Sequence, residues 1–108
     1  MGNIIKLEYN NKEYLLEFNR RTIVAMEVEG LIGKNSEELQ KKNPIEFLYK
    51  FIGYAFRKNH PELSQKEIDE IIDNIGDLQA FATEIGKILQ ASISTVEGNQ
   101  GNAKWERV

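Results

Sequence analysis

Hydrophobic positions are densest in residues 44–58, PIEFLYKFIGYAFRK. There Ile45, Phe47, Leu48, Tyr49, Phe51, Ile52, Tyr54, Ala55 and Phe56 cover far more than the ~100° apolar stripe of an ordinary surface helix. The pattern predicts a central helix wrapped by others. Only Glu46, Lys50, Gly53 and Arg57 share a narrow polar face, expected to be the one seam that touches water, with Glu46 and Lys50 at the favourable i,i+4 spacing. Asn43 is placed to cap this helix, and Pro44 falls in its first turn, where a missing N–H costs nothing.

Ahead of it, residues 4–9 and 13–18 alternate as short strands. A two-residue Asn10-Asn11 turn sets Tyr9 opposite Lys12, Leu7 opposite Tyr14 and Ile5 opposite Leu16, which gives one apolar face at the cost of facing Glu8 with Glu13. Asn19 then caps a helix over residues 20–29 that Gly30 stops, with Leu31 and Ile32 folding back on it. Its Ile23, Val24, Met26 and Val28 make no tidy stripe, so it is expected to touch both the hairpin and the central helix. Residues 33–43 are polar apart from Leu39 and read as a loop or one weak helical turn, either a binding segment or a mobile connection.

Beyond the central helix, Ser64 and Glu67 form a capping box, and Ile68, Ile71, Ile72 and Ile75 give one apolar face that ends at Gly76. Asp77 caps a last helix whose Leu78, Phe81, Ala82, Ile85, Ile88, Leu89, Ile93 and Val96 keep the same spacing. These two helices are expected to lie as a helical hairpin against the central one. The fold predicted is α+β: a short N-terminal β-hairpin packed on a bundle of about four helices. Residues 1–96 form the single domain, and residues 97–108, punctuated by Gly98, Asn99, Gly101 and Asn102, a mobile C-terminal tail.

Composition narrows the function. A chain of 108 residues supports one core, and a net charge of −3 argues against a general binder of phosphate backbones. Nucleic acid is therefore not expected as a partner. Without cysteine there is no disulfide or thiolate chemistry. No apolar run approaches the ~20 residues of a membrane span, so a cytoplasmic protein without a membrane partner is expected.

The candidate chemistry is sparse. His60 is the only histidine and reads as an exposed loop residue with no second imidazole to share a metal. Glu67, Asp69, Glu70 and Asp73 fall opposite the isoleucines, as a solvated face. The basic pairs Arg20-Arg21, Lys41-Lys42 and Arg57-Lys58 are separate in sequence and read as solvated surface. A helix-turn-helix around Gly76-Asp77 would present a nearly neutral face, a poor reader of DNA. No enzyme, cofactor or metal is expected. Trp105 stands in the tail without helical or strand pattern, either to fill a pocket on a partner or to fold back on its own domain.

Three segments together resemble the small tail assembly chaperones of long-tailed bacteriophages and prophages of Gram-positive bacteria. They are the hairpin running into Phe18-Asn19-Arg20-Arg21-Thr22 and Met26-Glu27, the run from Phe51 through Gly53 and Ala55 to Phe56, and the ending Gly101-Asn102-Ala103-Lys104-Trp105-Glu106. Order and length match over nearly the whole chain. The resemblance implies a non-enzymatic protein of the bacterial host cytoplasm that binds the long helical tape-measure protein, keeps it soluble, helps recruit tail-tube subunits and is absent from the finished virion. It also implies a longer form made by ribosomal frameshifting, near Ala103 and Lys104, that carries the tube-recruiting activity. The Glu-Arg-Val terminus and the lysine-rich 33–43 segment depart from the family pattern. No matched motif marks the binding surface, so the candidates come from the residues themselves: Ile4 and Leu15 on the hairpin, Leu39, and Trp105. An open hairpin edge also leaves room for a homo-oligomer. The alternative is a small regulator or antitoxin-like module acting on one globular protein.

Overall fold

The computed structural model describes residues 3–97 and 106–107, with side chains for 3–94 and 106–107. The chain runs β1 (Ile5–Tyr9), β2 (Lys12–Leu16), α1 (Arg20–Val28), α2 (Ser36–Lys42), α3 (Pro44–Arg57), α4 (Gln65–Asp73) and α5 (Leu78–Glu97). This is the expected α+β order, a two-stranded hairpin followed by helices, with five helices in place of about four. The tail assigned to residues 97–108 lies outside the described residues except for Glu97, the last residue of α5, and for Glu106 and Arg107.

The hairpin has the register that its side chains demand, with Tyr9 opposite Lys12, Leu7 opposite Tyr14 and Ile5 opposite Leu16. Asn10 and Asn11 take φ of 53° and 62°, the left-handed pair that a type I′ turn needs. Glu8 does face Glu13, and Lys6 answers from the diagonal, its Nζ 2.9 Å from Glu13 Oε1. Tyr14 and Leu16 point into the core.

Asn19 starts α1 by a reciprocal pair of bonds: the Thr22 N–H donates to Asn19 Oδ1 and the Asn19 N–H to Thr22 Oγ1, both at 2.9 Å. At the other end the Leu31 N–H reaches Met26 O at 2.9 Å and the Gly30 N–H reaches Glu27 O at 3.0 Å, a Schellman ending that needs the φ of +78° at Gly30. Met26 and Leu31 close over it, both buried. The helix packs chiefly on α3 and α5, through Ile23 and Met26. The expected contact with the central helix is made, while Val24 and Val28 face water.

Residues 33–43 are not a loop with a single weak turn. They hold α2, two turns long, whose Glu37 and Glu38 near the N-terminus and Lys41 and Lys42 near the C-terminus complement the helix dipole. Asn43 belongs to two helices: its N–H bonds Leu39 O at 3.1 Å to end α2, and its carbonyl accepts from Phe47 N–H at 2.9 Å to begin α3. Its side chain makes no capping bond, contrary to expectation, because its backbone has already turned to serve both helices.

The second half of α3 is the centre of the core, with Ile52, Ala55 and Phe56 fully buried. α4 lies close over Gly53, where a Cβ would stand 3.3 Å from Gln65 Nε2. The Ser64–Glu67 capping box forms, at 3.1 and 2.9 Å, and Ile68, Ile71 and Ile72 are buried. Ser64 also keeps the Glu67 carboxyl below its usual range, through its backbone N–H and then its hydroxyl. Gly76 does not end α4. Asn74 does so three residues after Ile71, donating its side-chain amide to Glu70 O at 2.8 Å and to the Tyr9 hydroxyl at 3.2 Å, which ties the helix to the hairpin. Asp77 caps α5 through the Ala80 N–H at 3.1 Å, and Ile85, Ile88 and Leu89 complete the core. Both α4 and α5 pack on α3.

Candidate partner-binding surface

The first two turns of α3 are not wrapped. Ile45 is 68% exposed, and Phe47, Leu48, Tyr49 and Phe51 are only half-buried. The expectation that a polar seam alone meets water is thereby reversed at both ends of the helix, since Gly53 of that seam is covered by α4. A wrapping layer would need a further helix over the N-terminal half, and α2 is too short and too polar to supply it.

What remains is an open apolar trough of about 500 Å³. Phe47 and Phe51 stack along one wall, ring centroids 6.0 Å apart and planes at 20°. Ala82, Leu89 and Ile93 of α5 form the other, and Ile32 closes one end. Gly86 lies in the same wall, and a Cβ built there meets nothing within 4 Å. A glycine inside a helix costs about 1 kcal/mol against alanine. At Gly53 the close approach of α4 accounts for that cost, whereas at Gly86 no packing among the described residues does. The rim is uncharged, with Ser36, Gln40 and Gln90.

None of the described residues singled out on the hairpin or at Leu39 lines this trough. Ile4 and Leu15, 49% and 43% exposed, share the outer face of the hairpin, beside Lys6. Leu39 is half-buried and anchors α2 over Gly30, beside a separate small hollow. Trp105 lies outside the described residues. Sequence reasoning missed Phe47, Phe51, Ala82, Gly86 and Ile93 because an apolar surplus in α3 reads as complete burial. The signal available was Gly86, an interruption of the helix-favouring run in α5 with no stop beside it.

The opposite end of α3 is chemically closed. The Leu15 N–H donates to His60 Nε2 at 3.0 Å, Asn59 Nδ2 donates to Leu15 O at 3.1 Å and Glu17 Oε1 at 3.0 Å, and the Glu17 N–H reaches Ala55 O at 3.0 Å. His60 is therefore not a free loop histidine: it is half-buried, packs edge-on against Tyr14 and accepts a backbone bond, which fixes its proton on Nδ1. Burial pushes the Glu17 carboxyl up, but the bonds from Asn59 and Lys58 and the Lys58 charge, 2.9 Å away, outweigh it and hold the group below its usual range. Tyr54 bonds the Glu29 carboxylate at the end of α1; burial, then that bond, raise its hydroxyl above the ordinary range. Two of the three basic pairs do converge: Arg20, Arg21, Arg57 and Lys58 surround one hollow at the start of α1, where Arg57 also lies over the Tyr54 ring at 4.6 Å.

Among the described residues no group of three or more His, Cys, Asp or Glu side chains converges as a metal site. No helix among them is long and apolar enough to cross a membrane. What the trough offers is apolar and aromatic contact area with an uncharged rim. A family described as a domain of unknown function (DUF5055) matches residues 1–107, and the chain belongs to it. No curated protein and no solved structure matches the chain.

Proposed function

We propose that this member of the family is a tail assembly chaperone of a long-tailed bacteriophage or prophage. It binds the tape-measure protein in the host cytoplasm, keeps it soluble and helps recruit tail-tube subunits, the last through a longer frameshifted form, without entering the virion. The observation that carries the reading is the apolar trough, open among the described residues, with Gly86 in its wall. A long helical protein exposes apolar stripes at i, i+3, i+4 and i+7, and such a stripe is what a groove between two helices accepts. The stacked Phe47 and Phe51 supply rigid aromatic contact area, and the missing side chain at Gly86 lets a partner backbone come close. The family-like segments at Phe18–Thr22, Phe51–Phe56 and Gly101–Glu106 support the same reading.

The test is co-expression with the product of the long open reading frame downstream of the gene. The expected result is a long product that stays soluble and co-elutes with this chain. Phe51→Asp or Gly86→Leu is expected to abolish co-elution while the chaperone itself remains folded by circular dichroism. If the long product is equally soluble alone and never co-elutes, the reading fails, and a regulator acting on one globular target becomes the hypothesis to pursue.

A further inference from the structure

The two edges of the hairpin differ. On β2 the outward backbone groups away from the turn are taken: Leu15 N–H by His60, Leu15 O by Asn59, and the next outward N–H, of Glu17, by Ala55; only those of Glu13, beside the turn, have no partner among the described residues. On β1 the register turns Ile5, Leu7 and Tyr9 toward β2, so the backbone groups of Lys6 and Glu8 point away from it. Among the described residues these outward groups have no partner. The side chains of β1 are equally incomplete. Ile5, Leu7 and Tyr9 are half-buried on the inner face, and Glu8, set against Glu13, forms no ion pair among the described residues.

We infer that β1 is a self-association edge, pairing antiparallel with β1 of a second copy of this chain about a twofold axis at Leu7. The ladder restricts the register. Outward groups sit on even-numbered residues, so the hydrogen-bonded pairs across the axis must join even to even. Centring the axis on Lys6 sets Lys6 against its own copy, and centring it on Glu8 sets Glu8 against its own copy. Centring it on Leu7 sets Lys6 against the partner's Glu8, twice over by symmetry, and this arrangement satisfies the carboxylate that Glu13 repels within the chain. On the inner face the same register stacks Leu7 on its copy and Ile5 on the partner's Tyr9, completing the cover of three half-buried side chains. A lysine on an edge strand ordinarily guards against pairing. Here, of the three registers centred on the strand, it favours the one that sets it between its own Glu13 and the partner's Glu8.

One strand from each protomer gives an interface below the ~1,200 Å² of stable complexes, so a reversible dimer at high micromolar concentration is expected. Sedimentation equilibrium of the full chain over a concentration series tests this. Glu8→Lys removes the Glu8–Glu13 repulsion, so the hairpin is kept, yet it puts two lysine pairs across the axis; the dimer should weaken by about tenfold or more. The double variant Lys6→Glu/Glu8→Lys restores opposite charges across the axis and should dimerise again. A monomer at every concentration, a Glu8→Lys dimer as tight as the wild type, or a double variant that stays monomeric would each overturn the proposal.

Discussion

Ile52, Ala55 and Phe56 in α3 are 0% exposed, whereas Ile45, Phe47 and Phe51, which precede them on the same helix and are no less apolar, are open or half-open to water. The two halves differ in what is laid over them. The turn after α3, β2 and α4 converge on the later half with complementary hydrogen bonds, while α2 reaches the earlier half as a short polar helix. The earlier half therefore leaves apolar side chains outside the core, where the later half buries them.

The sharpest way to break the comparison is to truncate one aromatic in each half. Phe56→Ala should cost about 3–5 kcal/mol, enough to unfold a small domain at modest temperature, whereas Phe47→Ala should cost about 1 kcal/mol or less and act on partner capture instead. Equal losses in thermal melts would mean that the trough is core after all. The two asparagines that precede helices give the next largest contrast. Asn19→Ala should lose about 1 kcal/mol because the Thr22 N–H loses its Asn19 Oδ1 acceptor, while Asn43→Ala, whose side chain caps nothing, should be near neutral in urea titration.

Gly86→Ala should raise stability by about 0.5–1 kcal/mol, since no described residue stands within 4 Å of the added methyl; a loss would show that another part of the chain already fills that space. The smallest effect concerns pH. Glu17 is held below its usual range in the folded state, so its contribution is full above the ordinary carboxylate range and is lost as pH falls through the folded value. Wild type and Glu17→Gln should therefore differ in melting temperature at neutral pH, by the equivalent of less than about 1 kcal/mol, and converge in acid.

Much of this fold was legible in the chain. The hairpin register followed from matching apolar faces, and the Asn19, Ser64 and Asp77 starts followed from the few residue types that can bond a free helix N–H. The failures share a cause. α2 was missed because its stability comes from charges placed at its two ends and from one anchoring leucine, not from a periodic stripe. His60 was read as free because its partner, Leu15, is distant in sequence. The trough was missed because a pattern of apolar positions says that they avoid water, not which neighbour covers them.

The sequence by itself determined the local decisions: where each strand turns, where most helices begin, and which residues are apolar enough to need cover. Those depend on backbone sterics and on bonds within a few residues. Which half of α3 is covered, which hairpin edge is closed by His60 and Asn59, and whether Gly86 meets a neighbour were decided only in the tertiary structure. Burial and edge closure are properties of pairs of segments far apart in the chain, and no local pattern encodes which pair will meet.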